Sequence, residues 1–407
     1  MNTFPLTLIF WLCLGAVAYN YLGYPLVLFA LATFAQAGSD LDFLLHRRSR
    51  RSSRGAQHLP RVAVLMSAYN EEAVIQAKVK NLLELDYPQD RLEILIGLDD
   101  PGDGTAEVLA RTPSERLQVI HYRRRQGKLK VLFALARRTS CEILVVTDAN
   151  TVLAPDCLRN LARHFADPRV GAVSGEETRV VAPGTDPGAE SLYWRYESAL
   201  KVLESRLNCS LGANGSVLAV RSSLFRLSKP SIVEDLQIPL DIRFQGHRVV
   251  YDPEAMATEE IAPTFAAQWA RRVRVGTGNF QTLFGSLEYL DPRRGLPAFC
   301  YFSHRVLRWL APVLLLAAFL CSLAMMARPA YAVLAGAQSA FYLMALLGFQ
   351  RKKKGKPAGP FALPLHFSLM NLALLAGLLK YVSGRRSLVW VSTPRPAPGE
   401  LRQRLSH

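Results

Sequence analysis

The sequence has no Cys-x-x-Cys pair; its six cysteines (Cys13, Cys141, Cys157, Cys209, Cys300 and Cys321) are scattered. That argues against a zinc site or a disulfide framework and suits a reducing compartment. There is no internal repeat and no low-complexity segment beyond an Arg/Ser run at 47–54, which excludes a repeat architecture. No basic module interleaved with base-stacking aromatics occurs, so the formal charge of +16 does not point to nucleic acid. Nor does any lysine or arginine precede the first apolar run, 5–34. Without that positive start the run reads as a retained anchor rather than a cleavable signal peptide.

What is present is unevenly spread. Half of the residues are hydrophobic, but 4–35 and 306–382 are nearly free of charge apart from one short basic break, whereas 60–300 mixes charged and apolar residues. The first run exceeds the roughly 20 residues needed to cross a bilayer. Three further spans are expected at about 306–327, 330–349 and 361–380. Basic residues cluster beside these runs, from His46 to Arg54 and from Arg351 to Lys356. Such clusters mark the cytoplasmic side and attract anionic lipid. They predict an N-terminus outside and the middle region in the cytoplasm, as in a bacterial inner-membrane protein. The same count puts Lys380, Arg385 and Arg386 outside, against the charge bias, so either the tail is external or one segment lies in the interface.

The middle region alternates like an α/β sheet. Short apolar or β-branched runs at 62–66, 93–96, 117–120 and 143–146 predict buried parallel strands, with helices near 71–84, 105–111 and 127–139. A doubly wound sheet binds ligands beyond the carboxyl ends of its strands. The polar signals fall there: Tyr69-Asn70-Glu71, Asp99-Asp100 and Asp148-Ala149-Asn150.

Three such strand ends around one crevice suit a diphosphate chelated by magnesium or manganese, which need hard oxygen ligands. Asp148 and Asn150 put two oxygen side chains on one face of an extended segment; a plain helix-leading turn before Pro155 is the alternative. Asp99 to Thr105 reads as a turn, although adjacent carboxylates at a strand end are usually tolerated for a ligand. Gln126-Gly127-Lys128 opens a helix where backbone N–H groups and a lysine can meet an anion; a solvated Lys128 is the bland alternative.

The ordered motifs SAYNEE (67–72), LDDPGDGT (98–105), QGK (126–128), VVTDAN (145–150), GAVSGE (171–176), GANGSVLAVR (212–221), VEDLQIPLDI (233–242) and RRVRVGTGN (271–279) resemble the family 2 glycosyltransferases. These are inverting enzymes with a GT-A fold, a Rossmann-like nucleotide-sugar-binding α/β domain, here flanked by transmembrane α-helices. The C-terminal spans and the tail WVSTPR (390–395) are similar to bacterial members that build exopolysaccharides or modify lipid-linked sugars. The resemblance implies that Ala68, Tyr69, Asn70, Glu71, Asp99, Asp100, Lys128 and Asp148 meet the donor, a UDP-sugar by expectation. Asp148 and Asn150 would hold Mn2+ or Mg2+, Asn150 standing where a second Asp is usual. Asp235 would be the catalytic base, with Asn214, Gly215 and Glu234 bordering the sugar and acceptor pocket. Arg271, Arg272 and Arg274 could neutralise the diphosphate bidentately, or form a basic helix on the membrane surface. The processive motif Gln-x-x-Arg-Trp is degenerate here, which leaves processivity open.

The chemistry suits those roles, since an inverting transfer needs one carboxylate to take the acceptor proton and cations to stabilise the departing charge. For Asp235 the bland reading is a helix N-cap; Asp241 and Asp252 read as structural. The expected organisation is an anchor at 1–38, a basic linker at 39–59, a catalytic domain at 60–262, an interfacial region at 263–305, spans at 306–382 and a basic tail at 383–407. The expected acceptor is lipid-linked or a saccharide, with membrane lipids as neighbours. A processive synthase and a non-catalytic nucleotide-sugar-binding subunit of an export complex are the alternatives. A transporter finds thin support, with only His366 and Asn371 standing out within the spans.

Overall fold

A computed structural model describes residues 4–46, 59–180, 188–226, 232–260 and 265–384. The Arg/Ser run at 47–54, most of the linker, and the tail from Arg385 with WVSTPR lie outside these residues.

Two units are present. The first comprises residues 35–46, 59–180, 204–226, 232–260 and 265–268, and contains one eight-stranded sheet. Its strands are β1 (Val62–Ala68), β2 (Leu92–Asp99), β3 (Leu117–Tyr122), β4 (Ile143–Val146), β5 (Thr151–Leu153), β6 (Val170–Val180), β7 (Leu218–Arg221) and β8 (Arg248–Glu260). The order is β3-β2-β1-β4-β7-β6-β8-β5. The four runs legible in the sequence form a parallel half, β1 pairing β2 and β4, and β2 pairing β3. β1 and β4 are buried almost throughout, as a sheet covered on both faces requires. The other half departs from a doubly wound parallel sheet. β7 runs antiparallel to β4 and β6, β8 is parallel to β6, and β5 is antiparallel to β8. A short strand such as β7, reached directly from a loop, needs no crossover helix to pair antiparallel.

The helices of this unit sit close to their expected places, at Glu72–Leu83, Thr105–Ala110 and Lys128–Ala136. Two of them cap apolar layers. Val74, Ile75, Val79 and Leu82 pack with β1 and β2 residues on one face, and Val131, Leu132 and Leu135 join Ala63, Leu65 and Leu95 on the other. Burying a side chain of this kind contributes about 1.5–3 kcal/mol.

The second unit comprises residues 4–34, 188–203 and 269–384. Among the described residues, four helical stretches are long and apolar enough to cross a membrane: Phe4–Leu45, Leu296–Ala324, Pro329–Lys353 and Gly359–Val382. The first is longer than the expected run 5–34. The helix continues through Gln36, whose side chain donates to Asp40 one turn on (2.8 Å), and reaches His46. It contains a π-helical turn, Tyr19–Gly23, where buried Asn20 donates to the Ser303 carbonyl (2.5 Å); a second π turn, Tyr301–Val306, carries that carbonyl. Residues 188–203, inside the stretch 60–262 expected to form one catalytic domain, cluster with these helices instead. The cause is polar. Buried Glu197 pairs with Arg308 and lies 3.4 Å from His304, and the Arg308 guanidinium lies 5.5–6.0 Å from the Tyr21, Tyr193 and Tyr196 rings.

The helices Phe265–Gly285 and Ala362–Val382 cross backbone to backbone at Gly276 and Gly377. A Cβ at Gly377 would meet the Gly276 carbonyl carbon and the Thr277 nitrogen, each at 2.7 Å. Main chain on both sides cannot yield, so Gly377→Val is expected to lower the thermal midpoint of the detergent-solubilised protein. The cost of such overpacking is about 1–3 kcal/mol or more. Gly15→Ala, where a Cβ meets nothing within 4 Å, is the control that should melt near wild type.

Candidate active site

The parallel strands end on one side, and the loops beyond β1 and β2 are knitted together there. Asn70 and Asp100 adopt φ of 54° and 57°, the left-handed region that asparagine and aspartate tolerate best among side-chain-bearing residues. Asn70 Oδ1 accepts from Gly102 N (2.8 Å), Glu72 Oε2 from Gly104 N (3.1 Å), and Thr105 Oγ1 from Glu71 N (2.9 Å). Asp103 accepts from Glu72 N (3.2 Å) and Thr105 N (3.1 Å). The turn LDDPGDGT is thus a scaffold for the SAYNEE loop. Asp100 is exposed and Glu71 buried. Ala68, also expected to meet the donor, is a core residue with no exposed surface at the end of β1.

Asp99 is buried at the end of β2, and its carboxylate accepts from Gln126 N (2.6 Å) and Gly127 N (3.0 Å). Two main-chain donors on one carboxylate fix the start of the next helix. Gly127, at φ 88°, makes the turn into it. The fixed first residue is Lys128, whose Nζ lies 2.6 Å from Asp148 Oδ1 and also pairs with Glu234. Burial opposes its charge, but the Asp148 and Glu234 carboxylates outweigh that and hold the ammonium above its ordinary pKa. The alternative of a solvated Lys128 is excluded.

Glu234 and Asp235 open the helix Glu234–Phe244, with Val233 as N-cap, so Asp235 is not the cap residue. A Cβ at Gly215 would lie 3.1 Å from Asp235 Cβ; glycine lets that loop approach the carboxylate. Asn214 donates from its backbone to Ser174 Oγ (2.8 Å) and from Nδ2 to the Gly175 carbonyl (2.7 Å). Ala213 N donates to the Asp235 carbonyl (2.9 Å). Through Lys128, then, Asp148 on the β4 side and Glu234-Asp235 from much later in the chain belong to one site.

The turn carrying Asp148 and Asn150 has a floor that sequence reading missed. Lys78, 2% exposed on the helix Glu72–Leu83, donates to Thr147 Oγ1 (2.8 Å) and to the Thr151 carbonyl (2.6 Å). Burial pushes its pKa down to about 7, against the pull of Asp148. The helical period was the available signal, because Val74, Ile75, Val79 and Leu82 place position 78 on the buried face. Arg125 was missed as well; its guanidinium lies 3.4 Å from the Tyr69 ring centroid, a cation–π contact. Its signal was the run Arg123-Arg124-Arg125 directly before Gln126-Gly127-Lys128. Glu177 and Glu259, side by side on β6 and β8, left no signal. Burial and then Glu259 push the Glu177 carboxyl above its ordinary range.

Asp241 accepts from Gln237 (2.9 Å), and Asp252 pairs with Arg163 (2.8 Å) and His164 (2.7 Å), so both are tied structurally. Arg271, Arg272 and Arg274 are partly exposed residues of the helix Phe265–Gly285, in the other unit from the sheet.

The donor set suits a hard divalent cation. Asp148 has one oxygen on Lys128 and its side chain is 29% exposed. Asn150 donates from Nδ2 to Glu259, so its side-chain carbonyl oxygen is the atom that would be offered to a cation. Among the described residues no group of three or more His, Cys, Asp or Glu is arranged to hold a metal ion. A hard cation of the Mg2+ type takes one or two protein oxygens and completes its shell with phosphate oxygens and water; Asp148 and Asn150 are the oxygen side chains that would offer it such ligands.

The comparisons agree with this architecture. The chain is 29% identical over 249 residues to a beta-monoglucosyldiacylglycerol synthase of Nostoc sp., covering 57% of this chain and 51% of that one. It is 24% identical over 241 residues to a poly-beta-1,6-N-acetyl-D-glucosamine synthase of Staphylococcus epidermidis, covering 56% of each. The chain thus spans about half the length of the curated relatives it matches. Among solved structures, the mannosyltransferase PcManGT from Pyrobaculum calidifontis, in complex with GDP-Man and Mn2+, shares the fold at TM-score 0.70 and 24% identity. That match covers 93% of this chain and all of the other, and makes the fold GT-A. Residues 60–278 match Glycosyltransferase like family 2, and it is to this family that the chain belongs.

Proposed function

We propose that the chain is a membrane-bound inverting glycosyltransferase that moves a sugar from a nucleoside-diphosphate donor to a lipid-linked or saccharide acceptor. The observation that carries this is the Lys128 bridge from Asp148 to Glu234, which ties a largely buried cation at the carboxyl ends of the parallel strands to the helix start that carries Asp235. In the reaction, Asp235 takes the proton of the acceptor hydroxyl while that oxygen forms a bond to the anomeric carbon. The bond from the anomeric carbon to the diphosphate oxygen breaks with its electron pair. Lys128 meets the charge that develops on the leaving group. Tyr69, with Arg125 across its face, would border the base, and Asn70 and Asp99 shape the loops around it. A divalent cation held by Asp148 and Asn150 would supply further positive charge to the diphosphate when bound. Asn214 and Gly215 would line the acceptor side.

The acceptor is expected at a membrane surface. Supporting this, Arg351 to Lys356 lie exposed at the end of the apolar helix Pro329–Lys353, in the cytoplasmic position for such a cluster. Similarity to glycolipid and polysaccharide synthases points the same way. Arg271, Arg272 and Arg274 are proposed to hold phosphate.

Membranes carrying the protein, given labelled UDP- and GDP-sugars with and without Mn2+, should release nucleoside diphosphate with one of them and label an acceptor through a linkage whose anomeric configuration is opposite to the donor's. Asp148→Ala is expected to abolish the metal-dependent part of donor binding. Metal-dependent affinity equal to wild type in that variant would remove Asp148 as a ligand, and no turnover with any sugar nucleotide would remove the transferase reading.

A further inference from the structure

The position that normally completes an acidic metal motif is an amide here, and its surroundings supply a reason. Asn150 directly precedes β5, whose first residue, Thr151, pairs with Glu259 on β8. Across that register Asn150 Nδ2 donates to Glu259 Oε1 at 3.1 Å. Glu259 is 3% exposed and shares its surroundings with Glu177, which accepts from Ser216 Oγ (2.6 Å) and from Arg179 Nε (3.0 Å); Arg179 Nε is 3.9 Å from Glu259. Ser216 follows Gly215, the glycine against Asp235. The acidic pair therefore stands between the Asp148–Asn150 turn and the loop beside the base.

We propose that Glu259 is a positioning residue for the metal and diphosphate turn. By accepting from Asn150 Nδ2 it fixes which atom of Asn150 faces the ligand, and it makes asparagine the residue this site requires at 150. The proposal depends on reading this turn as the donor site. An aspartate at 150 can offer Glu259 no N–H. It would instead put a further acidic side chain against buried Glu259 and its neighbour Glu177, where repulsion is screened far less than in water. The turn would swing away, taking the ligating oxygen with it. Restoring the familiar Asp-x-Asp pattern thus damages the site, the reverse of what the pattern alone suggests.

The experiment is calorimetric titration of UDP and GDP, with and without Mn2+, into the full-length protein in detergent, for wild type, Asn150→Asp, Glu259→Gln and the double variant. Thermal midpoints are measured alongside. Asn150→Asp is expected to weaken Mn2+-dependent nucleotide binding on the order of ten- to a hundredfold, the scale of one lost hydrogen bond to a charged group. The double variant is expected to recover most of it. There the amide introduced by Glu259→Gln can donate to the carboxylate introduced by Asn150→Asp, so the same bond forms with its polarity reversed. Should Asn150→Asp fail to fold, the double variant carries the test and is expected to fold and bind. Binding by Asn150→Asp as tight as wild type, or a double variant that binds no better than Asn150→Asp, overturns the proposal while leaving the donor site standing. A wild-type protein that binds neither nucleotide with Mn2+ overturns the donor site itself, and this inference with it.

Discussion

Asp235→Asn is expected to bind donor with an affinity close to wild type and to transfer sugar about 10²–10⁴-fold more slowly, the usual contribution of a positioned general base. The substitution keeps the shape of the side chain against Gly215, where a Cβ would come within 3.1 Å, and removes only the ability to take a proton. The neighbouring main-chain bond from Ala213 N to the residue 235 carbonyl (2.9 Å) is untouched, so the loop carrying Asn214 should keep its place. Initial rates with saturating donor and acceptor, set beside donor affinity from calorimetry, separate the two effects. Transfer at the wild-type rate would exclude Asp235 as the base and would move that role to another carboxylate of the site.

The second large effect is expected at Lys128. Lys128→Met keeps the length of the side chain and removes the cation between Asp148 and Glu234, whose side chains are 29% and 16% exposed. Two carboxylates then face each other without a counter-charge. Breaking a buried pair costs about 3–5 kcal/mol, and the partial exposure here reduces that to about 1–3 kcal/mol, readable as a lowered thermal midpoint. Turnover should fall by a further factor on the order of 10²–10³, the scale of removing one transition-state charge stabiliser. Unchanged turnover, with or without Mn2+, would show that the lysine only holds the site together.

The half of the fold that could be read in advance is the half built from short uninterrupted apolar runs. β1 and β4 are buried almost throughout and contain almost nothing polar, so period and length sufficed. β6 and β8 could not be read the same way. Their inner stretches include Glu177, Thr178 and Arg179 facing Ala257, Thr258 and Glu259, residues that look like a solvated loop until the partner strand is known. The site divides similarly. Asp148, Asn150, Asp99 and the Glu234-Asp235 pair stood in motifs at strand and helix ends. Lys128 was ambiguous because one lysine beside a glycine is common, and its two partners lie far away in the chain. Lys78 broke an apolar helical face and was detectable on that ground, whereas the bond from Asn150 to Glu259 depends on the register of β5 against β8, which local sequence does not encode. In the membrane helices the spans were placed by length and charge, but the docking of residues 188–203 among them was hidden, since Glu197 finds Arg308 only in three dimensions.

The ammonium of Lys128 holds two carboxylates before any donor arrives. On the proposed reading, an intact diphosphate reaching it would displace partners of equal sign and similar reach, and the exchange would release little net energy. As the bond from the anomeric carbon to the diphosphate lengthened, negative charge would accumulate on the departing oxygen and the balance of that competition would tip. A group whose attraction grows along the reaction coordinate lowers the barrier without tightening the ground-state complex. The lysine would thus register in turnover more than in tightness, and this protein could work at donor concentrations where a stickier pocket would retain its spent nucleotide.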